Sequence, residues 1–343
     1  MEQQQIIVNT AEVLESIFLA ISPKKRILIL THNNPDPDAM GAAFALKNLL
    51  HAKLRKKCTI AYMGMIGRLE NREFVKQCKI DLHSSFDLNF RRFDYIIVVD
   101  TQPQAGNVYI PEGFQANLVI DHHLSKKAMP KRKDLIADLR PGYGSTCTII
   151  AEYYKTLGLI PDTNTATAMC VGITTDAIGS ARDSSKTDQE MLGFIYPYVS
   201  INKISRINNP ELPRYHYKTL RRAIENAVII EDLLFCDLGD VRNSDLIAET
   251  SDYLLRMREI KCVFVCGKLD DVIMFSLRYK STRKSVGRIA MRIVQGIGYG
   301  GGHVKTAGGQ VPLAGKDYAE TIGILKSRLI KRLGLKVLDE KPI

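Results

Sequence analysis

The sequence predicts an α/β protein: a doubly wound, mostly parallel sheet that carries the chemistry, followed by a second, smaller α/β lid domain. Three observations predict it. Short apolar runs alternate with helical periodicities through the first half, the pattern of a helix-covered parallel sheet. Three of those runs end in aspartate or histidine, at the strand ends where open sheets build their sites. A stretch rich in helix breakers then interrupts the alternation before a second set of strands and helices begins.

In order along the chain, strands are expected at 26–31, 58–63, 95–100 and 117–121, with helices at 39–51 and 146–158. The run Arg26-Ile27-Leu28-Ile29-Leu30-Thr31 leads into His32, Asp36 and Asp38. Tyr95-Ile96-Ile97-Val98-Val99 leads into Asp100, and Leu118-Val119-Ile120 into Asp121-His122-His123. Three strands delivering carboxylates and imidazoles to one sheet end imply a polynuclear metal centre. A further helix over 165–173 ends at Thr174-Thr175-Asp176, before a polar stretch at 182–189. Pro197, Asn208-Asn209, Pro210 and Pro213 mark a connector, continued by a helix through Glu225. The expected organisation is therefore a metal-binding domain over 1–195, a connector over 196–226 and a C-terminal domain over 227–343. In the last, strands are expected at 227–237, 261–267 and 272–279, and helices at 244–257, 285–295 and 317–333.

A chain of 343 residues with 45% hydrophobic content can build two well-formed cores. No run approaches the roughly 18 uninterrupted apolar residues of a membrane helix. The start, Met1-Glu2-Gln3-Gln4-Gln5, lacks the basic-then-apolar order of a secretory signal, so a cytoplasmic protein with no membrane partner is expected. Seven cysteines without a Cys-x-x-Cys pair read as reduced, buried thiols. Cys262 and Cys266 face one side of a strand and pack rather than share an ion. An excess of 48 Lys and Arg over 37 Asp and Glu gives +11, which favours polyanionic partners such as nucleotides, nucleic acid or polyphosphate. Clusters at 53–57, 131–133 and 326–336 read as solvated surface. The cluster Arg278, Lys280, Arg283, Lys284, Arg288 and Arg292 differs because it leads into a glycine-rich segment, where it can meet substrate phosphate.

Carboxylates suit hard divalent ions, and added imidazoles shift the preference towards Mn²⁺, with Mg²⁺ or Co²⁺ as alternatives. Asp36 and Asp38, two positions apart in an extended loop, can point to opposite sides and serve two ions. Taken singly, the same residues have structural roles: Asp36 before Ala39-Met40-Gly41 can cap a helix, and Asp176 can be a solvated residue at a helix end. Four of the seven histidines, 32, 122, 123 and 303, fall inside the candidate motifs; His51, His83 and His216 stand outside and are given no role. Gly296-Ile297-Gly298-Tyr299-Gly300-Gly301 has the G-x-G-x-x-G form but follows a helix, not a strand, and Val304 stands where a P-loop needs glycine. Glycines 300–302 are expected to form a loop that lets a phosphate or nucleoside approach, with His303 donating a hydrogen bond. A purely structural turn is the alternative.

Thr-His-Asn-Asn-Pro-Asp-Pro-Asp-Ala at 31–39, Val-Val-Asp at 98–100, Asp-His-His at 121–123 and Thr-Thr-Asp at 174–176 resemble the four motifs of the DHH phosphoesterases. Gly300-Gly301-Gly302-His303 with Ala307-Gly308-Gly309 resembles the signature of the DHH-associated C-terminal domain. Five motifs in order make the resemblance specific, and the two-domain length is similar to the nanoRNase and phosphoadenosine-phosphate phosphatase group. The resemblance implies that His32, Asp36 and Asp100 hold one ion and that Asp38, Asp100, His122 and Asp176 hold the other, with Asp100 as the bridge. It further implies that His123 binds the scissile phosphate or assists proton transfer, and that Asp121 orients the histidines. Arg278, Gly301, Gly302 and His303 would bind substrate between the domains. Tyr279-Lys280-Ser281 follows Arg278 where the family has serine at once, so its substrate preference does not carry over. The expected function is two-metal hydrolysis of short oligoribonucleotides or nucleotide bisphosphates such as phosphoadenosine phosphate. Alternatives are a pyrophosphatase or exopolyphosphatase, a cyclic-dinucleotide phosphodiesterase, or a nucleotide-sensing or nucleic-acid-binding protein with an inactive metal site. Homodimerisation is an expectation of the resemblance alone.

Overall fold

Short, fully apolar runs build the sheet of the first unit. In the computed structural model, which describes residues 9–125, 129, 132–178, 184–281, 284–336 and 340–343, the chain divides into Met1–Pro210 and Glu211–Ile343. The first unit contains β1 (Arg26–Leu30), β2 (Lys57–Tyr62), β3 (Leu82–Ser84), β4 (Tyr95–Val99), β5 (Leu118–Asp121) and β6 (Ile136–Leu139). They lie in the order β3-β2-β1-β4-β5-β6, and all five pairings are parallel, so the mostly parallel sheet of the expectation is wholly parallel. β4 and β5 are buried along their whole length and β1 along all but its first residue, which is why they read as unbroken apolar runs instead of alternating ones. The strand order reverses between β1 and β4, and the crevice outside their carboxyl ends is where such sheets bind ligands.

Helix α2 (Pro37–Leu54) is the next element after β1, and residues 37–46 are all buried, so its N-terminal half is enclosed on every side while its last turn, with His51 and Lys53, is exposed. It meets α5 (Thr163–Ile173) through small residues. A Cβ on Gly41 would stand 2.8 Å from the Ala168 carbonyl oxygen, and one on Gly172 would stand 3.1 Å from the Asp38 Cα. That close approach needs glycine at both positions, and it brings the first turn of α2 against the end of α5. Helices α1 (Thr10–Ile21), α3 (Leu69–Cys78), α4 (Thr146–Thr156), α6 (Lys186–Ile195) and α7 (Ile201–Asn208) complete the unit.

The second unit contains α8 (Arg214–Asn226), β7 (Val228–Ile230), β8 (Leu233–Asp240), α9 (Asp245–Leu254), β9 (Cys262–Leu269) and β10 (Val272–Tyr279). After them come α10 (Val286–Ile293), β11 (Tyr299–Gly302), β12 (Thr306–Pro312), α11 (Tyr318–Leu333) and β13 (Lys341–Pro342). The sheet order is β11-β12-β10-β9-β8-β7-β13; β8 and β9 pair in parallel and the other pairings are antiparallel. One face, with Phe235, Phe264 and Phe275 stacked at centroid spacings of 5.1 and 5.3 Å, packs on α10 and α11. The other face packs on α8 and α9.

Two expectations are corrected. Residues 227–237 form a hairpin, β7 and β8, because Glu231 takes a left-handed φ of 54° and turns the chain. Glycines 300–302 form strand β11 instead of a loop, with Gly300 opposite Gly309 and Gly301 opposite Gly308. Without side chains at 300–302, β11 lies close on α10, where a Cβ at Gly300 would come 3.0 Å from the Ala290 carbonyl oxygen. The connector over 196–226 is largely helical and is divided at Pro210, with Ile207 of α7 buried in the first unit's core and Ala223 of α8 in the second's. Lys131, Arg182 and Arg283 lie outside the described residues. All seven cysteines are buried free thiols, and among the described residues no helix is long and apolar enough to cross a membrane.

Candidate metal centre

The carboxyl ends of β1, β4 and β5 and the end of α5 converge on one cluster of acids and imidazoles. Asp36 is the N-cap of α2: its Oδ1 accepts from the Ala39 amide at 3.0 Å, which leaves Oδ2 facing His32. Asp38, in the first turn of α2, turns the other way into the interior. Its Oδ1 accepts from the Ser145 hydroxyl at 2.6 Å and the Cys147 amide at 2.9 Å, and its Oδ2 from the Thr146 amide at 2.7 Å. The N-terminus of α4 therefore holds this carboxylate.

Asp100, 2% exposed, follows β4 with a left-handed φ of 61°, a conformation that aspartate tolerates better than most residues and that clusters at functional sites. Its two oxygens serve different neighbours. Oδ2 lies 3.5 Å from His32 Nε2, while Oδ1 lies 3.6 Å from His122 Nε2 and accepts from the Thr146 hydroxyl at 2.8 Å. His32 Nε2 is also 3.7 Å from Asp36 Oδ2. Its Nδ1 donates to the Asn33 carbonyl at 2.9 Å.

His122 is fixed in the same way: Nδ1 donates to the Tyr143 carbonyl at 3.0 Å, which leaves Nε2 as the lone-pair nitrogen of the neutral ring. That Nε2 is buried without a hydrogen-bond partner, yet three carboxylates surround it: Asp176 at 3.3 Å, Asp100 at 3.6 Å and Asp38 at 3.8 Å. Asp176 reaches it from a π-helical turn, Thr174–Ile178, that continues α5; such turns recur at functional sites. The groups His32, Asp36, Asp100 and Asp38, His122, Asp176 each present one donor atom per residue within 4.8 Å of one another. A third grouping, Asp100, His122 and His123, does the same, but His123 Nδ1 already meets Asp121 Oδ1 at 2.8 Å.

The electrostatics are those of a centre short of positive charge. Burial, and then Asp100, push the Asp38 carboxyl up to about 8, and burial also raises Asp100. Burial opposes protonation of His32, but Asp100 and Asp36 outweigh it and hold the imidazolium up to about 11. At His122 burial again opposes, and Asp176 with Asp38 and Asp100 raises the ring to about 9. A divalent cation would displace these protons. Oxygen donors with imidazoles, together with a buried imidazole nitrogen aimed at carboxylates, fit Mn²⁺ or Mg²⁺.

Residues that sequence reasoning missed hold this arrangement in place. Gln102, buried, donates to Asp121 Oδ2 at 2.8 Å and to the His123 carbonyl at 3.0 Å, which locks the Asp121–His123 pair. Nothing in the sequence marks it. Asp188 accepts from the Gly144 amide and the Thr148 hydroxyl, fixing the turn into α4. Arg140 pairs with buried Asp138 and reaches Glu152 at 2.9 Å, which anchors the segment that presents the Tyr143 carbonyl. Ser145-Thr146 ahead of an apolar helix is an N-cap pattern and was the one readable signal.

The second unit carries a pocket of about 730 Å³ on the α9 face of its sheet. Gly301, Gly302, His303 and Arg278 all line it. Arg278 is buried, and its Nε donates to Asp252 Oδ1 at 2.6 Å, so the guanidinium expected to meet an anion already has a carboxylate partner. His303 is exposed, with its backbone amide bonded to the Thr306 carbonyl at 2.8 Å.

Residues 26–173 match the DHH family, N-terminal domain. An uncharacterized protein of Methanocaldococcus jannaschii is 32% identical over 92% of this chain and 62% of its own length. The cyclic-di-AMP phosphodiesterase GdpP of Bacillus subtilis is 22% identical over 89% of this chain and 48% of its own length. The chain thus spans about half to three-fifths of these relatives. Among solved structures, an exopolyphosphatase-related protein from Bacteroides fragilis superposes with a TM-score of 0.72, at 16% identity, over 96% of this chain and 98% of that one. RecJ from Thermus thermophilus, in complex with Mn²⁺, gives 0.52 at 14% identity, over 95% of this chain and 54% of that one. At these identities the two structures speak for the fold.

Proposed function

We propose, from the match of residues 26–173 to the DHH family N-terminal domain, that this chain is a divalent-metal phosphoesterase acting on short oligoribonucleotides and nucleotide bisphosphates. The observation that carries the reading is the bare Nε2 of His122, buried among Asp38, Asp100 and Asp176 while its other nitrogen is tied to a carbonyl. A histidine serving only the core would have used both nitrogens.

In this reading His32, Asp36 and Asp100 would hold one ion, and Asp38, Asp100, His122 and Asp176 would hold the other. Two such ions, Mn²⁺ by preference, would supply activation of water and neutralisation of the charge that grows on the phosphorus oxygens. Water gives up a proton to solvent as its oxygen bonds to phosphorus, the P–O bond to the leaving group breaks, and the departing oxygen takes up one proton in return. His123 serves that end: with Nδ1 held by Asp121, Nε2 is the nitrogen left to bind the scissile phosphate or deliver the proton. Asp121, itself held by Gln102, keeps the ring turned and in one tautomer.

A second reading, a cyclic-dinucleotide substrate, is favoured by the similarity to a relative named as a cyclic-di-AMP phosphodiesterase. The test is Mn²⁺-dependent hydrolysis of phosphoadenosine phosphate, a 5′-phosphorylated RNA dinucleotide, cyclic di-AMP, pyrophosphate and polyphosphate, with Asp100→Asn as control. Turnover of the linear nucleotides that vanishes in the variant supports the first reading. Preference for the cyclic substrate promotes the second, and exclusive use of the anhydrides contradicts both.

A further inference from the structure

The pocket of the second unit contains two polar atoms that the protein leaves unsatisfied. Asp245, in the first turn of α9, has a buried Oδ2 with no hydrogen-bond partner among the described residues. Ser276 of β10 is 4% exposed, and its Oγ is likewise without a partner. Both residues line the pocket. Buried polar atoms in native proteins nearly always find partners, so two orphans in one concave site point to groups that a ligand brings.

We propose that Asp245 and Ser276 form a subsite that reads hydrogen-bond donors of a nucleoside, its ribose hydroxyl or an exocyclic amine, and so selects nucleotides against bare phosphoanhydrides. The inference rests on the phosphoesterase reading and narrows its substrate class. A carboxylate only accepts hydrogen bonds, and its charge repels phosphate, so its ligand partner is a neutral donor. The cation in the same pocket, Arg278, is already paired with Asp252, which lessens the pull on a polyanion. Tyr299, 74% exposed and lining the pocket, offers an aromatic face on which a base stacks and an inorganic chain does not.

The floor is shaped for close approach. Ser276 stands opposite Gly308, and Gly308 opposite Gly301, so one row across β10, β12 and β11 bears a single small side chain. A Cβ on Gly301 would meet nothing within 4 Å, so packing does not demand glycine there, and the room left open belongs to the pocket.

The experiment is equilibrium binding of nucleoside 5′-monophosphates, their 2′-deoxy counterparts and pyrophosphate to the full chain in Mg²⁺. Wild-type protein, Asp245→Leu and Ser276→Ala are compared, with folding checked by circular dichroism. Wild-type protein should bind nucleotides more tightly than pyrophosphate. Asp245→Leu should weaken nucleotides about tenfold, the scale of a lost hydrogen bond to a charged group, while pyrophosphate is unchanged or tighter. Ser276→Ala should weaken nucleotides less and leave pyrophosphate alone, and it carries the test if the leucine variant does not fold. A loss confined to ribonucleotides assigns the contact to the 2′-hydroxyl; one confined to amine-bearing bases assigns it to the base. Unchanged nucleotide binding in Ser276→Ala and in any folded Asp245→Leu, or a wild-type preference for pyrophosphate, overturns the subsite. Selective nucleotide binding without turnover of any ester would defeat the phosphoesterase reading and leave the subsite standing.

Discussion

The two candidate sites are built by opposite means. In the first unit, parallel strands end in charged side chains, and the crevice at the reversal of strand order crowds four carboxylates around two imidazoles. In the second, the pocket lies on the face of a mixed sheet, and what shapes it is mainly the lack of side chains on β11 and β12. A site made by accumulating charge depends on which residues are present. A site made by leaving space depends on the register that lines up the gaps. The first kind is sensitive to a change of charge at fixed size, the second to a single added methyl.

The largest effect should come from Asp100→Asn, which keeps the shape and removes the charge that faces both His32 and His122. Turnover is expected to fall by about a thousandfold or more, the scale of losing a preorganised charge in an active site, with circular dichroism unchanged. Wild-type kcat in that variant would refute the shared-bridge role. Gln102→Ala should come next: it frees Asp121 and lets the His123 ring turn, costing roughly 10- to 100-fold in kcat with KM little altered. A change confined to KM would instead place Gln102 in substrate binding.

Two glycines of one hairpin separate space for folding from space for ligand. Gly309→Ala would put its Cβ 2.5 Å from the Phe275 ring and 2.4 Å from the Tyr299 carbonyl oxygen, so a loss of about 1–3 kcal/mol in stability is expected from denaturant melts. Gly301→Ala meets open space and should leave stability within about 0.5 kcal/mol while raising KM. Equal behaviour of the two variants would erase the distinction drawn between them.

The smallest effect is one of pH on the metal-free protein. The Asp38 carboxyl is pushed from an ordinary 3.8 up to about 8, and His122 from 6.5 up to about 9, so the folded state binds more protons than the unfolded one. Stability then falls as pH rises from about 4 to about 11, the upper end being set by His32, which Asp100 and Asp36 hold up to about 11 against burial, since slope follows the difference in bound protons. Thermal melts in EDTA should show that decline, and Mn²⁺ should flatten it. A metal-free protein that gains stability over the same range would contradict the charge-crowded picture.

How much could be read beforehand follows the same division. β1, β4 and β5 were legible because buried parallel strands are continuous apolar runs, and Asp36, Asp38, Asp100 and His122 because each closes or follows such a run. Asp176 was visible as a residue, but the π-helical turn that aims it at His122 was not. Edge strands β3 and β6 are short and half-polar, and α7 and α8 sit in a breaker-rich stretch that reads as a linker. Gln102 acts through contacts with residues 19 and 21 positions away, which no local pattern encodes. Gly300–302 carried turn chemistry in sequence, yet pairing with Ala307, Gly308 and Gly309 made them a strand. Asp245 and Ser276 share a pocket only once α9 is laid across β10, so neither had any signal.

The most direct measurement is calorimetric titration of Mn²⁺ into the EDTA-stripped full chain, alongside Asp100→Asn. The account predicts two ions per wild-type chain, with proton release on binding and a marked loss of affinity in the variant. Fewer than one ion per wild-type chain, or identical isotherms for the two proteins, would contradict the proposal that Asp100 bridges a pair of metals.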